Sequence, residues 1–192
     1  MIDTLIAYDI ELFLLLNNLG TAAWDAFWLF VTNKYSHIPL YLLLLFFTYR
    51  AFGFKKTLFT LLAVALLITL TDQTSNFFKY GFERLRPCHY PDLEGIFRLV
   101  KERCGGKYSF FSAHAANSMA IAVFFGLLLK SKFKYVQLLL LFWGFLLGYS
   151  RIYIGVHYPL DVLTGFLVGA VYAGFCYVLL KWIFSKIERS EG

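Results

Sequence analysis

The feature that most constrains this chain is a series of apolar runs, each long enough to cross a lipid bilayer as a helix. A transmembrane helix needs about 17–25 largely apolar residues. Five runs meet this length, at 36–54, 57–80, 113–130, 134–150 and 159–184. Because 59% of the 192 residues are apolar and 16% are charged, a soluble domain of this size could not bury them. The sequence therefore predicts an all-α, polytopic transmembrane helix bundle that forms one domain over residues 1–192.

The N-terminal stretch, residues 1–35, departs from this pattern. Its apolar residues are split by Asn17, Asn18 and Gly20, so that neither half is an uninterrupted span. We predict two helices that lie in the membrane interface. A sixth span is the alternative.

The distribution of basic residues bears on orientation. The net charge of +6 agrees with topology signals and anionic lipid headgroups rather than with nucleic acid. If the helices alternate, nine Lys or Arg residues fall on each face, and three of the nine on one face belong to the polar motifs described below. Since cytoplasmic loops carry the excess of Lys and Arg, we assign the other face to the cytoplasm and the loop 81–112 to the outer face.

Two of the three cysteines, Cys88 and Cys104, fall in this outer loop. In an oxidising compartment they could form a disulfide that closes the loop. Two free thiols are the alternative.

Polar residues concentrate in three stretches at the ends of the predicted spans. These are 79–87 at the exit of the second span, 112–114 at the entry of the third, and 150–161 between the fourth and fifth. Because helices that alternate in direction bring these ends to one side of the membrane, all three stretches are expected on one face.

The first property of this set is its affinity for an anion. Lys79, Arg86 and Arg151 supply three positive charges, and arginine matches phosphate oxygens in a bidentate way. Ser112 is a natural N-cap, so that the first amides of the following helix, beginning with Ala113, can also bind an anion. The residues therefore predict a phosphate-sized site.

The second property is a pair of titratable groups suited to phosphate-ester cleavage. His157 and Asp161 are four residues apart, and a carboxylate beside an imidazole fixes its tautomer and activates the far nitrogen. His114 supplies a second acid or base. No carboxylate cluster typical of Mg²⁺ or Zn²⁺ sites is evident, so no metal or other cofactor is predicted.

These motifs resemble the signature of the type 2 phosphatidic acid phosphatase family of membrane lipid phosphatases, a superfamily that includes vanadium haloperoxidases. The family pattern is Lys, six residues, Arg-Pro; Pro-Ser-Gly-His; and Ser-Arg, five residues, His, three residues, Asp. The matching residues here are Lys79, Arg86-Pro87, Ser112, His114, Ser150-Arg151, His157 and Asp161. The middle motif departs from the pattern, since Phe111 replaces Pro and Ala113 replaces Gly.

The resemblance implies a role for each matching residue. His157 would attack phosphorus and form a phosphohistidine, with Asp161 supporting it. His114 would protonate the leaving oxygen and then activate water. The phosphate would be bound by Lys79, Arg86, Ser112 and Arg151. Ser150 is predicted to support these residues without contacting the phosphate.

Several other polar residues lie outside these motifs. Asp72 could belong to a helix-packing hydrogen-bond patch or could orient Lys79 or Arg151. A solvated loop face is predicted for the remaining basic residues of this region, with contact to a headgroup or second phosphate as the alternative; they are Arg84, Arg98, Lys101, Arg103 and Lys107. His37 is predicted to be an interfacial turn residue.

The predicted function is hydrolysis of a phosphate or diphosphate end of a membrane lipid at the outer face of a bacterial inner membrane. Undecaprenyl diphosphate is the favoured substrate, and the 1-phosphate of lipid A, phosphatidylglycerophosphate and phosphatidate are alternatives. A non-catalytic protein that binds or transports an anionic lipid is the alternative of another class. The expected partners are the bilayer and the lipid substrate, with no nucleic acid, and the oligomeric state stays open.

Overall fold

The computed structural model describes residues 2–101 and 103–191, and helices dominate them. The α-helices are α1 (Ile2–Asn18), α2 (Ala22–Thr32), α3 (Ile38–Phe82), α4 (Ala113–Leu129), α5 (Val136–Tyr153) and α6 (Pro159–Glu191). Short 3₁₀ segments occupy Lys34–His37, Pro87–His89 and Pro91–Leu93. Within the described ranges the only β pairing is an isolated bridge between Leu85 and Tyr108. The predicted all-helical class is therefore confirmed.

The long helix α3 is interrupted at Gly53, where φ is 77° and ψ is 177°. Tyr41 and Ile68 line one cavity, although 27 residues of straight helix would separate them by about 40 Å. The arms 38–52 and 54–82 therefore lie side by side. Glycine suits this reversal because the positive φ costs it no steric strain.

The predicted number of five spans is not confirmed. Within residues 2–101 and 103–191, three helical segments are long and apolar enough to cross a membrane, namely Lys34–Phe82, Val136–Tyr153 and Pro159–Arg189, and the pair α1 and α2, bent by 113°, would make a fourth. The runs predicted at 36–54 and 57–80 correspond to the two arms of the segment that reverses at Gly53, and α4, predicted as a span, has 17 residues. The interfacial position of α1 and α2 stays a prediction.

Helix α4 lies at the centre of the bundle, with most of its residues buried. Helix α6 packs closely against it, since a Cβ at Gly169 would lie 2.2 Å from the carbonyl oxygen of Ala116. At the site end of this contact the amide of Ser112 donates to the carbonyl of Asp161 over 3.0 Å. The N-termini of α4 and α6 therefore meet.

The segment between α3 and α4 is tied to the N-terminal helices and to the end of α5. Cys88 and Cys104 are paired in a disulfide, with their Cα atoms 6.1 Å apart. The fully buried amide of Asn17 donates to the carbonyls of Arg98, Ile152 and Tyr153 and accepts from the Arg98 amide. These contacts fix the loop against the turn that follows α5.

Candidate active site

The three polar stretches of the sequence converge at one end of the bundle. His157 lies in the turn between α5 and α6, and it interacts electrostatically with Arg86, Arg151 and Lys79. His114, in the first turn of α4, interacts with Arg151 and His157. Residues that are up to 78 positions apart in the sequence therefore form one cationic cluster around two imidazoles.

His157 and Asp161 form a buried pair at the base of this cluster. Nδ1 of His157 lies 3.3 Å from Oδ2 of Asp161, and the same oxygen accepts the amide of Tyr158 over 3.0 Å. Both side chains are almost completely excluded from solvent. Burial and the nearby Arg86 and Arg151 hold the pKa of His157 well below its ordinary value. The imidazole is therefore neutral, and a proton on Nδ1 leaves the lone pair of Nε2 available as a nucleophile.

Arg151 is buried but has an unused donor. Its NH1 group donates to Oγ1 of Thr32 over 2.5 Å. Its Nε has no hydrogen-bond partner among the residues that the structure describes. Since buried donors in folded proteins are almost always paired, a free Nε–H inside a cationic cluster is suited to a bound phosphate oxygen.

Arg86 and Lys79 supply the other cations of the cluster. Arg86 donates through Nε to the carbonyl of Tyr108 and through NH1 to the carbonyl of Cys104, both over 3.1 Å. The disulfide-closed loop therefore orients this guanidinium. Lys79 lies near the end of α3, where it interacts electrostatically with Arg86 and Asp72.

The start of α4 adds backbone donors. Ser112 caps the helix, with its Oγ accepting the amide of Ala115 over 3.4 Å. The first amides of a helix have no partner within the helix, and Ala113 and His114 occupy these positions. The predicted contribution of Ser112 and Ala113 to an anion site is therefore geometrically possible at this helix end.

The two residues predicted to support the site differ in their contacts. Asp72 accepts a hydrogen bond of 2.9 Å from Asn117, and it lines a cavity of about 280 Å³ together with His114. Ser150 is buried, and its hydroxyl donates to the carbonyl of Leu147 in the same helix over 2.6 Å. A supporting role for either residue stays a prediction.

The cavity beside His114 borders a second one. A largely apolar cavity of about 470 Å³ lies between the two arms of α3 and α4, and its lining includes Leu45, Val64 and Phe125. Tyr41 and Asn117 line both cavities. An apolar path therefore lies next to the polar cluster.

Two charged residues outside the predicted site, Arg84 and Asp9, contact this cluster. The prediction that Arg84 lies on a solvated loop face is wrong, since NH1 lies 3.1 Å from Oδ1 of Asp161 and NH2 lies 2.6 Å from Oδ2 of Asp9. Asp9 is 3% exposed. A usable signal existed in the sequence, because an acid within an apolar helix requires a partner.

Arg98 and His37 also depart from their predicted surroundings, whereas Lys101 is exposed as predicted. Arg98 forms a two-pronged ion pair with Asp25, at 2.9 and 2.8 Å. Lys101 is exposed, but it interacts electrostatically with Arg151 of the cluster. His37 lies in a turn as expected, yet it is buried and accepts the indole N–H of Trp143 over 3.1 Å.

The described residues contain one group of three possible metal ligands within 4.8 Å of one another, formed by Cys88, His89 and Cys104. Both sulfur atoms belong to the disulfide, which leaves a single nitrogen ligand. This group therefore does not make a metal site in the disulfide-bonded chain.

Comparison with known proteins agrees with this arrangement. The sequence profile of the PAP2 superfamily matches residues 56–185. A lipid A 4'-phosphatase of Bacteroides thetaiotaomicron is 30% identical over 98% of this chain and 84% of its own length. An undecaprenyl-diphosphatase of Sulfolobus acidocaldarius is 32% identical over 86% of this chain and 75% of its own. A transmembrane PAP2-type phosphatidylglycerolphosphate phosphatase of Bacillus subtilis has a similar fold, with a TM-score of 0.71 at 21% identity over 96% of this chain and 88% of that one.

Proposed function

Because this chain belongs to the PAP2 superfamily and is a membrane lipid phosphatase, we propose that it removes the phosphate group of a glycolipid of the lipid A type through a phosphohistidine intermediate. The observation that carries the mechanism is the buried His157–Asp161 pair inside a cluster of cations. The observation that carries the substrate class is the match to a lipid A 4'-phosphatase over 98% of the chain.

The first step forms a bond between Nε2 of His157 and phosphorus. Nδ1–H donates to Asp161, whose negative charge stabilises the positive charge that the imidazole acquires. The bond between phosphorus and the lipid oxygen breaks, and His114 gives its proton to that oxygen. A bound phosphate dianion favours the protonated form of His114, because the two charges attract.

The second step breaks the new bond between nitrogen and phosphorus. His114, now neutral, takes a proton from water, and the oxygen of that water attacks phosphorus. Inorganic phosphate leaves and His157 returns to its neutral form. Arg86, Arg151 and the first amides of α4 surround the phosphate in both steps, so that electrostatic stabilisation and positioning supply most of the rate gain.

The two adjoining cavities support a lipid as the substrate. The phosphate would lie at His114, and a hydrocarbon chain would enter sideways from the bilayer into the apolar cavity between the arms of α3. Tyr41 and Asn117 border both spaces, so that the headgroup and the chain need no separate entrances. We place this end of the bundle at the outer face of a bacterial inner membrane, on the distribution of basic residues.

Undecaprenyl diphosphate is the second candidate substrate. Sequence analysis favoured it, and the match to an undecaprenyl-diphosphatase supports it. That match covers a smaller share of this chain, 86% rather than 98%, so we rank it after the glycolipid.

The test is release of inorganic phosphate from purified lipids in detergent micelles that contain a metal chelator. The panel comprises lipid A with both phosphates, lipid A with one, undecaprenyl diphosphate and phosphatidylglycerophosphate. We expect release from lipid A, and complete loss in His157→Ala but not in His89→Ala, which changes an exposed histidine of the outer loop. Release by His157→Ala at the wild-type rate would exclude the mechanism, and binding without release from any lipid would favour a non-catalytic protein.

A further inference from the structure

A line of charged side chains runs from the N-terminal helix to the predicted nucleophile. Oδ2 of Asp9 in α1 pairs with NH2 of Arg84, and NH1 of Arg84 pairs with Oδ1 of Asp161. Oδ2 of Asp161 in turn faces Nδ1 of His157. The four groups therefore alternate in a continuous chain from α1 to the imidazole.

The surroundings of Asp161 show what Arg84 contributes. Oδ2 is contacted by the amide of Tyr158 and by His157, and the Ser109 side chain also hydrogen-bonds to the carboxylate. Among the described residues, Arg84 is the cation that forms an ion pair with Oδ1. The guanidinium also lies 4.0 Å above the ring of Tyr158, which favours one orientation of its plane. Arg84 therefore restricts the rotation of the carboxylate that faces the imidazole.

Among the described residues, Asp9 makes polar contacts with two groups that lie beside Asp161. Besides its pair with Arg84, its Oδ1 accepts the amide of Leu160 over 2.8 Å, at the start of the helix that carries Asp161. The side chain of Asp9 is 1% exposed. A carboxylate buried to this degree is stable only when it is paired, so that Asp9 and Arg84 depend on each other.

We propose that Arg84 and Asp9 are positioning residues of the phosphatase reaction, and that Asp9 acts through Arg84 to hold the Asp161 carboxylate against His157. The proposal rests on the proposed function, in which His157 is the nucleophile. Among the described residues, the polar contacts of Arg84 and Asp9 do not include the predicted phosphate-binding donors, and each residue acts through the carboxylate.

The charge balance explains why two residues are needed. Attack on phosphorus leaves positive charge on the imidazole, which the negative charge of Asp161 stabilises. Arg84 without a partner would place a full positive charge on the other side of the same carboxylate and would oppose that step. Asp9 offsets this charge while Arg84 keeps its hydrogen bond, so that the carboxylate remains both oriented and available to the imidazole.

The experiment compares Arg84→Gln, Asp9→Asn and the double variant with the wild-type protein in the chelator assay. Misplacing a catalytic group by about 1 Å can lower a rate about 10²-fold, and we expect Arg84→Gln to lower kcat by this order with KM changed less than about twofold. Asp9→Asn should lower kcat about 10-fold. The double variant should lose much less than the product of the two single losses, because Asp9 and Arg84 act on the same carboxylate.

The matched control is Glu188→Gln. Glu188 also forms an ion pair that joins two helices, with Lys56 of α3, but it lies 27 residues after Asp161 near the other end of α6, so we expect wild-type kcat. If Arg84→Gln does not fold, Arg84→Lys takes its place in the cycle, with a smaller loss of kcat expected because lysine keeps the charge.

Two results would overturn the proposal. In the first, the decreases in kcat of Asp9→Asn and Arg84→Gln multiply in the double variant. In the second, the variants raise KM and leave kcat unchanged. A failure of the proposed function is separate from these, since it would appear as full activity in His157→Ala whatever the two positioning variants do.

Discussion

Replacing Gly155 by alanine tests whether the turn after α5 sets the position of the nucleophile. Gly155 lies two residues before His157 and has a φ of +80°. An added Cβ would lie 2.6 Å from the carbonyl oxygen of Arg98 and 2.8 Å from the ring of Phe97. The outer loop and the turn are therefore packed too closely for any side chain here.

The cost has two parts. A non-glycine residue in the left-handed region costs about 1–2 kcal/mol. The clash adds about 1–3 kcal/mol, the usual range for overpacking, unless the turn moves away. Ordinary van der Waals contact begins at 3.4 Å, so the turn must move by about 0.8 Å to remove the clash with the Arg98 carbonyl. This shift is close to the misplacement of about 1 Å that can lower a rate about 10²-fold. We expect Gly155→Ala to lower kcat by about 10- to 10²-fold.

The control is Gly95→Ala. Gly95 has a φ of +78° but no atom within 4 Å of the added Cβ, so this variant carries the backbone strain without the clash. Thermal unfolding in detergent should show a loss of about 1–2 kcal/mol for Gly95→Ala and a larger loss for Gly155→Ala. Phosphate release should be normal in the control. Equal losses of stability, with normal kcat in both variants, would refute the argument that close packing of this turn positions His157.

Three further predictions concern the loop, the nucleophile and the lipid path. Reducing the disulfide, or replacing Cys88 and Cys104 by serine, should raise KM with less effect on kcat, because the Cys104 carbonyl orients a phosphate-binding arginine; an unchanged KM in the serine variant would contradict this. Since burial and neighbouring cations lower the pKa of His157 before substrate binds, its imidazole stays neutral as the pH falls through 6.5, and kcat/KM should show no loss from protonation of His157 centred at that pH; such a loss is the contrary result. Ile121→Trp should raise KM for long-chain lipids but not for a short-chain substrate, since Ile121 lines the apolar cavity, whereas Leu62→Trp on the exposed surface should change neither value.

The sequence could predict the convergence of the catalytic motifs because that convergence depends on local order. Spans that alternate in direction bring 79–87, 112–114 and 150–161 to one end whatever the details of packing. The helix start at Ala113 follows from capping. The spacing of four residues predicts a contact between His157 and Asp161, and the structure forms this contact from the turn that precedes α6 rather than along one helical face. These inferences need no knowledge of how the helices pack side by side.

The number of spans could not be predicted in the same way. The predicted runs end at 54 and begin again at 57, close to the observed interruption at Gly53. One non-helical residue is enough to reverse the direction of the helix at this point. Apolar length alone cannot distinguish such a reversal from a separate pair of helices.

The positions of Arg84 and Arg86 are a second feature that could not be predicted from the sequence. Both lie in the short segment after α3, and composition gives no reason to separate them. Arg84 turns towards Asp161 and α1, whereas Arg86 turns towards the disulfide-closed loop. Only the docking of α1 against α6 supplies Asp9 as the second partner of Arg84, and such docking is a tertiary property.

The N-terminal helices consequently contribute contacts to the candidate site. Asp9 contacts Arg84, the Asn17 amide holds the carbonyls at the end of α5, and Thr32 accepts from Arg151. All three residues precede 56–185, the part of the chain that the PAP2 superfamily profile matches. The catalytic motifs are therefore contained in the matched region, but several contacts that orient them come from helices outside it. Helices that only anchored the chain at the membrane surface would need only apolar residues at these positions. These helices instead carry a buried carboxylate, a buried amide and a hydroxyl that pairs with a buried arginine. Such groups indicate that the helices hold the predicted catalytic residues in place.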